Sequence, residues 1–168
     1  MKNIKIINKF NFNCENFINF ISSKKYYKFL VLNDNDLINY NLIFKKLENN
    51  IKKYKIKLKY KKKLPDVIKK VVGNLFSNDV YETVTINLNN LTGEVFLESY
   101  CLEKLSATLS YTYKLVEKDY GCKQIITYYY ESKFPIISSI IEDNISFELN
   151  KKNEIIHNLM IKFFNSNN

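Results

Sequence analysis

The chain has 168 residues, 46% of them apolar, with 13 Tyr and 12 Phe but only three Gly and two Pro. A length of this order suits one domain that buries roughly 68–70% of the surface its unfolded chain exposes. The formal net charge of +9 comes from 26 basic residues that are all lysine, so the chain lacks the planar guanidinium fork that reads guanine or grips phosphate, and a nucleic-acid partner is disfavoured.

The abundance of Lys, Asn, Ile and Tyr resembles the residue usage of a very A+T-rich genome, which weakens the charge as a functional sign. Cys14, Cys101 and Cys122 are odd in number and lack C-x-x-C spacing, which predicts neither a disulfide framework nor a zinc site. No stretch approaches ~18 consecutive apolar residues, and the run at 17–21 is too short for a secretory segment. The expectation is a soluble, cytoplasmic chain in a reducing compartment. The glycosylation patterns at Asn90 and Asn144 carry no weight without a secretory signal.

In chain order, Ile4, Ile6, Phe10 and Phe12 alternate with Asn3, Lys5, Lys9 and Asn11, a half-buried strand. Asn13 stands at a helix N-cap position, with Glu15 in the first turn and Phe17, Phe20 and Ile21 at helical spacing. A short helix or turn follows around 24–29, then a loop at 33–36. The even positions Ile38, Tyr40, Leu42 and Phe44 give a strand, with a turn at 48–50. In the next strand Tyr54, Ile56, Leu58 and Tyr60 alternate with Lys53, Lys55, Lys57, Lys59 and Lys61, an apolar face backed by a lysine face.

Residues 64–73 read as a compact helix, with Pro65 in its first turn and Gly73 at its C′ position. Four antiparallel strands follow, at 80–88, 94–101, 105–117 and 122–134. Leu105, Ala107, Leu109, Tyr111, Tyr113 and Leu115 share a face of the third. In the fourth, Ile126, Tyr128 and Tyr130 oppose Ile125 and Tyr129, and a one-residue slip would exchange the two sets.

From Pro135 to Phe164 the spacing predicts one long amphipathic helix, with Ile137, Ile141, Ile145, Leu149, Ile156, Leu159, Met160 and Phe163 on its apolar face. Glu148 and Lys152 fall within about 20° of the centre of that stripe. Either the helix runs past the sheet there and both reach water, or they form a polar pair facing a cavity. His157, the one histidine, lies roughly opposite the stripe and reads as a solvated surface residue, as do Glu142 and Asp143. The whole is a single α+β domain over 1–164, a curved antiparallel sheet of about seven strands gripping the long C-terminal helix, with a loose tail at 165–168.

That order resembles the START-like, or Bet v 1-like, helix-grip superfamily. The segment from Leu64 and Pro65 to Gly73, with Tyr81, Glu82 and Thr83 after it, is similar to PRELI-like phospholipid-transfer proteins and a related uncharacterised bacterial START-like family. Gly121 and Cys122, then Phe134, Pro135, Ile136, Ile137 and Glu142, resemble the last hairpin and final helix of the latter. Ser138 and Ser139 stand where that family tends to have glycines. The resemblance implies a lipid, sterol or other hydrophobic ligand between sheet and helix, and a PRELI-like relationship would make the mitochondrial intermembrane space the alternative location.

No phosphate-binding loop, nucleophile elbow or metal-ligand cluster is found, so no catalytic residue, metal or cofactor is assigned. The expected function is non-enzymatic binding of a lipid or hydrophobic small molecule, extending to transfer between membranes. Tyr111, Tyr113, Tyr128, Tyr130, Glu148, Lys152, Ile141 and Ile145 would line the site. Lys53, Lys55, Lys57 and Lys59 are either a solvated edge strand or a contact for an anionic membrane. The alternative is a protein-interaction module with a filled core and that basic face as its docking surface. Oligomeric state is not readable.

Overall fold

The computed structural model describes residues 2–61, 78–118, 121–133 and 135–166, and of residues 2 and 135–145 the backbone alone. The helix expected at 64–73 lies outside the described residues. Seven strands form one sheet: β1 (Lys2–Phe10), β2 (Leu37–Glu48), β3 (Ile51–Tyr60), β4 (Asp79–Asn87), β5 (Thr92–Ser99), β6 (Ala107–Lys118) and β7 (Gly121–Ser132). Their spatial order is β1-β7-β6-β5-β4-β3-β2, every pair antiparallel. Helices α1 (Cys14–Ile21) and α2 (Lys24–Asn33) connect β1 to β2, the two edge strands, and α4 (Pro135–Ser166) follows β7. The expected α+β architecture, a curved sheet gripping a long C-terminal helix, is the one observed.

Local chemistry explains the joints. Asn13 caps α1, its side chain accepting from the Asn16 amide at 2.8 Å, and Cys14, Phe17, Ile18 and Phe20 turn one buried face to the sheet. Asn49 and Asn50, both at positive φ, make the two-residue turn between β2 and β3, a conformation that asparagine tolerates. A five-residue helix, α3 (Tyr100–Lys104), interrupts the expected run from β5 to β6. It is capped by Ser99 but too short to show a helical period in the sequence.

Three expectations about strands and cysteines are corrected. The pairing of β2 with β3 skips Ile38 and Ile43, so the phase of β2 changes twice. The alternating set Ile38, Tyr40, Leu42 and Phe44 is therefore split: Ile38 and Phe44 are 42% and 46% exposed, while Tyr40 and Leu42 lie against the core and Leu37 is buried. The lysine-bearing β3 is not an edge strand, because β2 covers its far side. Cys14 and Cys122, both buried, are joined by a disulfide that ties α1 to β7. Spacing rules find frameworks and metal knuckles, and they miss a lone bridge between residues 108 apart.

The α4 terminus is clamped by rings. Phe164 stacks on Phe12 at 3.9 Å and Phe163 on Phe20 at 4.2 Å, with Phe29 edge-on to Phe163. The helix runs on through Ser166, two residues into the tail expected to be loose.

Candidate functional site: a tyrosine-lined cavity under the long helix

The inner faces of β3 to β7, the flanks of α1 and α2, and α4 line a partly open cavity of about 440 Å³. Its floor follows from the strand alternation. Val84, Val95, Leu109 and Ile126 supply the apolar part, and Tyr54, Tyr60, Tyr111, Tyr113 and Tyr128 supply rings with hydroxyls. Tyr26, Tyr27 and Leu30 of α2 form one wall, and Phe17 and Ile21 of α1 another. The roof is Glu148, Leu149, Lys152, Asn153, Ile156, His157 and Met160.

The register explains where Tyr113 sits. It lies opposite Gly93 on β5, and a Cβ there would overlap the Tyr113 ring. Glycine leaves the space the ring occupies. The Tyr113 hydroxyl is buried without a hydrogen-bond partner among the described residues. Tyr27 and Tyr54 satisfy each other through a buried hydroxyl pair at 3.1 Å. Burial pushes the phenols of Tyr26, Tyr54, Tyr60, Tyr111, Tyr113 and Tyr128 above the usual tyrosine range, so these rings are neutral.

Glu82 is the charged member of the floor. It follows the parity of Val80, Val84 and Ile86 on β4 and lies in register between Ile56 and Leu97. What surface it keeps opens onto the cavity. Loss of water raises its carboxyl from 4.5 to about 7, partly opposed by the Lys152 ammonium.

The expected polar pair is corrected in its partner. Glu148 and Lys152 both line the cavity, but the Lys152 ammonium meets the buried Asp34 carboxylate at 2.5 Å and lies 4.7 Å over the Tyr60 ring. Asp34 caps the C-terminus of α2, so this bridge pins α4 to the end of α2. A second tie is a reciprocal amide pair, Asn153 with Asn8, both bonds 3.0 Å, which Gln124 extends at 3.0 Å from Asn8.

His157, expected opposite the apolar stripe, is half-buried rather than fully solvated. It lines the cavity, its ring 4.9 Å from Phe10 and its Nε2 3.1 Å from the Lys9 carbonyl oxygen. The expected stripe is centred on Ile137, Ile141, Ile145 and Leu149, which step by four residues and so drift about 40° round the axis at each step. In the second half of α4 the inward direction is that of Leu149, Asn153, Ile156 and Met160.

Of the residues expected to line a ligand site, Tyr111, Tyr113, Tyr128, Glu148 and Lys152 meet at this cavity. Tyr130 does not, because one pleat beyond Tyr128 it is buried with Leu105 and Ala107 in a second cluster beside α3. The side chains of Ile141 and Ile145 lie outside the described residues. Asn8, Glu82 and Asn153 escape the sequence reading, although Asn8 and Glu82 carry the inward parity of their strands. On the outer face Lys53 and Lys59 are exposed. Lys55 pairs with Glu98 at 2.5 Å and Lys57 with Asp79 at 2.6 Å, both ammoniums 5.6 Å from the Tyr81 ring. Among the described residues no cluster of three His, Cys, Asp or Glu side chains could hold a metal, and no helix is long and apolar enough to cross a membrane.

No protein-family model matches the chain, and no curated protein matches it in sequence. Solved structures match it over almost its full length. Norcoclaurine synthase from Thalictrum flavum superposes with a TM-score of 0.70 at 13% identity, over 97% of this chain and 86% of that one. Ara h 8.0201 gives 0.65 at 10% identity, over 98% of both chains. The protein TTHA0849 from Thermus thermophilus gives 0.61 at 11% identity, over 96% and 95%. This is a START-like, Bet v 1-like helix-grip fold. In helix-grip terms the cavity lies between the sheet and the gripped helix, as the resemblance implied. At these identities the likeness establishes the fold alone.

Proposed function

We propose that this helix-grip protein is a non-enzymatic carrier that holds a lipid or other hydrophobic small molecule under α4 and passes it between membranes. The observation that carries the reading is the cavity. Its roughly 440 Å³ falls within the ~300–1,000 Å³ typical of small-molecule pockets, and it combines an apolar floor with a few converging polar groups. A filled-core interaction module would not retain such a space, since interiors otherwise close to crystal-like density. The apolar body of the ligand lies along Val84, Val95, Leu109 and Ile126, and its polar end meets the tyrosine hydroxyls and the charged residues of floor and roof. Support also comes from norcoclaurine synthase, which has been solved in complex with dopamine and hydroxybenzaldehyde and shares the fold with a TM-score of 0.67 at 15% identity.

In this proposal the lysine face touches anionic lipid. Lys53 and Lys59 present free charge, each adding about 1 kcal/mol near such a surface. The test is native mass spectrometry after incubation with mixed liposomes containing or lacking an anionic lipid, followed by extraction and identification of whatever is bound. A one-to-one adduct, acquired faster from the anionic vesicles, is expected. A clean apo mass under both conditions contradicts the reading and returns the lysine face to the role of a protein-docking surface.

A further inference from the structure

We propose that the cavity's ligand ends in a protonated amine, which Glu82 holds among tyrosine faces. The proposal rests on the ligand-binding reading above and names the chemistry of the ligand's polar end.

Glu82 carries no hydrogen bond or ion pair among the described residues, yet it stands mid-row between Val80 and Val84 with Ile56 and Leu97 as its strand neighbours. A carboxylate with no donor on an apolar floor is costly, and a bound cation removes that cost. The Lys152 ammonium offsets the Glu82 charge only in part, because it is paired with Asp34 at 2.5 Å and makes no ion pair with Glu82.

The rings around Glu82 fit the same ligand. Tyr26, Tyr60, Tyr111 and Tyr128 reach the cavity from α2, β3, β6 and β7, and each feels the Glu82 charge. Tyr111 and Tyr128 are tilted against each other at 5.0 Å. Neutral aromatic faces attract an ammonium through their quadrupoles and repel an anion. A carboxylate-headed lipid would instead meet Glu82, Asp34 and Asp36 with the Lys152 charge already engaged.

Proton linkage supplies a second readout. Glu82 is held at about 7 by burial, and a bound cation favours its ionised form, so amine affinity rises between pH 6 and 8. The other ionisable groups facing Glu82 are Lys152 from α4 and the phenols from α2, β3, β6 and β7, which stay neutral across that range. Glu148 and His157 on α4 and Asp34 and Asp36 beyond α2 share the cavity, and replacing Glu82 alone separates its contribution from theirs.

The experiment is isothermal titration of decylamine, decanol and decanoate, below their micelle concentrations, into the wild type and Glu82→Gln at pH 6 and pH 8. At pH 8 decylamine should bind about tenfold or more tightly than decanol, with decanoate weakest. The preference should shrink at pH 6 and vanish in Glu82→Gln, whose retained decanol binding shows an intact cavity. Decanol or decanoate binding as tightly as decylamine overturns the amine assignment while leaving the cavity reading in place, as does an amine preference that survives in Glu82→Gln. If none of the three binds the wild type, the carrier reading falls and takes this one with it.

Discussion

Between Val80 and Val84 the pleat of β4 turns the Glu82 carboxyl toward the cavity, and its stability consequence has a definite sign. Its folded value of about 7 lies above the ordinary 4.5. Below the lower value both folded and unfolded chains hold the proton, and Glu82 costs nothing. As pH rises from about 4.5 to about 7 the folded chain binds the proton more tightly, so stability falls, and above that the full penalty of between about 1 and 3 kcal/mol applies. Thermal unfolding of the apo wild type and Glu82→Gln should therefore converge near pH 4.5. By pH 8 the variant should be more stable by that amount, and parallel curves would show that Glu82 is not desolvated. Two glycines make a contrasting pair. In Gly93→Ala the new methyl pushes the end of the Tyr113 side chain into the cavity, costing about 1–3 kcal/mol and weakening ligand binding. In Gly121→Ala the methyl collides with the Phe10 carbonyl oxygen, backbone that cannot swing aside, so denaturant titration should show a larger loss.

At the scale of elements, α4 is fastened by one ion pair, one amide pair and one cluster of rings. Lys152→Met removes the ammonium and leaves Asp34 buried and uncompensated. The expected loss is about 1–3 kcal/mol, below the range for fully buried pairs because the Lys152 side chain is 33% exposed. Asp34→Asn with Lys152→Met should recover most of it in a double-mutant cycle, and additive losses would mean that the two do not interact. The elements themselves were largely legible: the alternation of β3, the Asn13 cap and the apolar spacing of α4 each name their structure. What the sequence did not show were shifts of phase. Ile38 and Ile43 drop out of the β2 ladder, which moves Phe44 to the outer face beside Lys55. The four-residue steps of α4 rotate its apolar face, which is why His157 read as outward. α3 was hidden because five residues are too few to express a period.

For the whole molecule, the sequence order of strands and helices was enough to suggest the helix-grip fold, since antiparallel neighbours joined by short turns leave few ways to close a sheet around one long helix. The cavity was legible only in part. Parity places Tyr111, Tyr113 and Tyr128 inside, but the crossings that bring Asp34 to Lys152 and Cys14 to Cys122 depend on packing between residues more than a hundred positions apart. The same parity would have found Asn8 and Glu82 had polar residues been allowed on an inward face. The central claim is that a hydrophobic ligand enters the space under α4. The most direct measurement is methyl NMR of the labelled protein with a nitroxide-bearing alkyl chain. The account predicts selective broadening of the Val84, Val95, Leu109, Ile126 and Met160 methyls, with Ile7 and Ile43 on the outside untouched. Uniform broadening, or broadening confined to the exposed methyls, would contradict it.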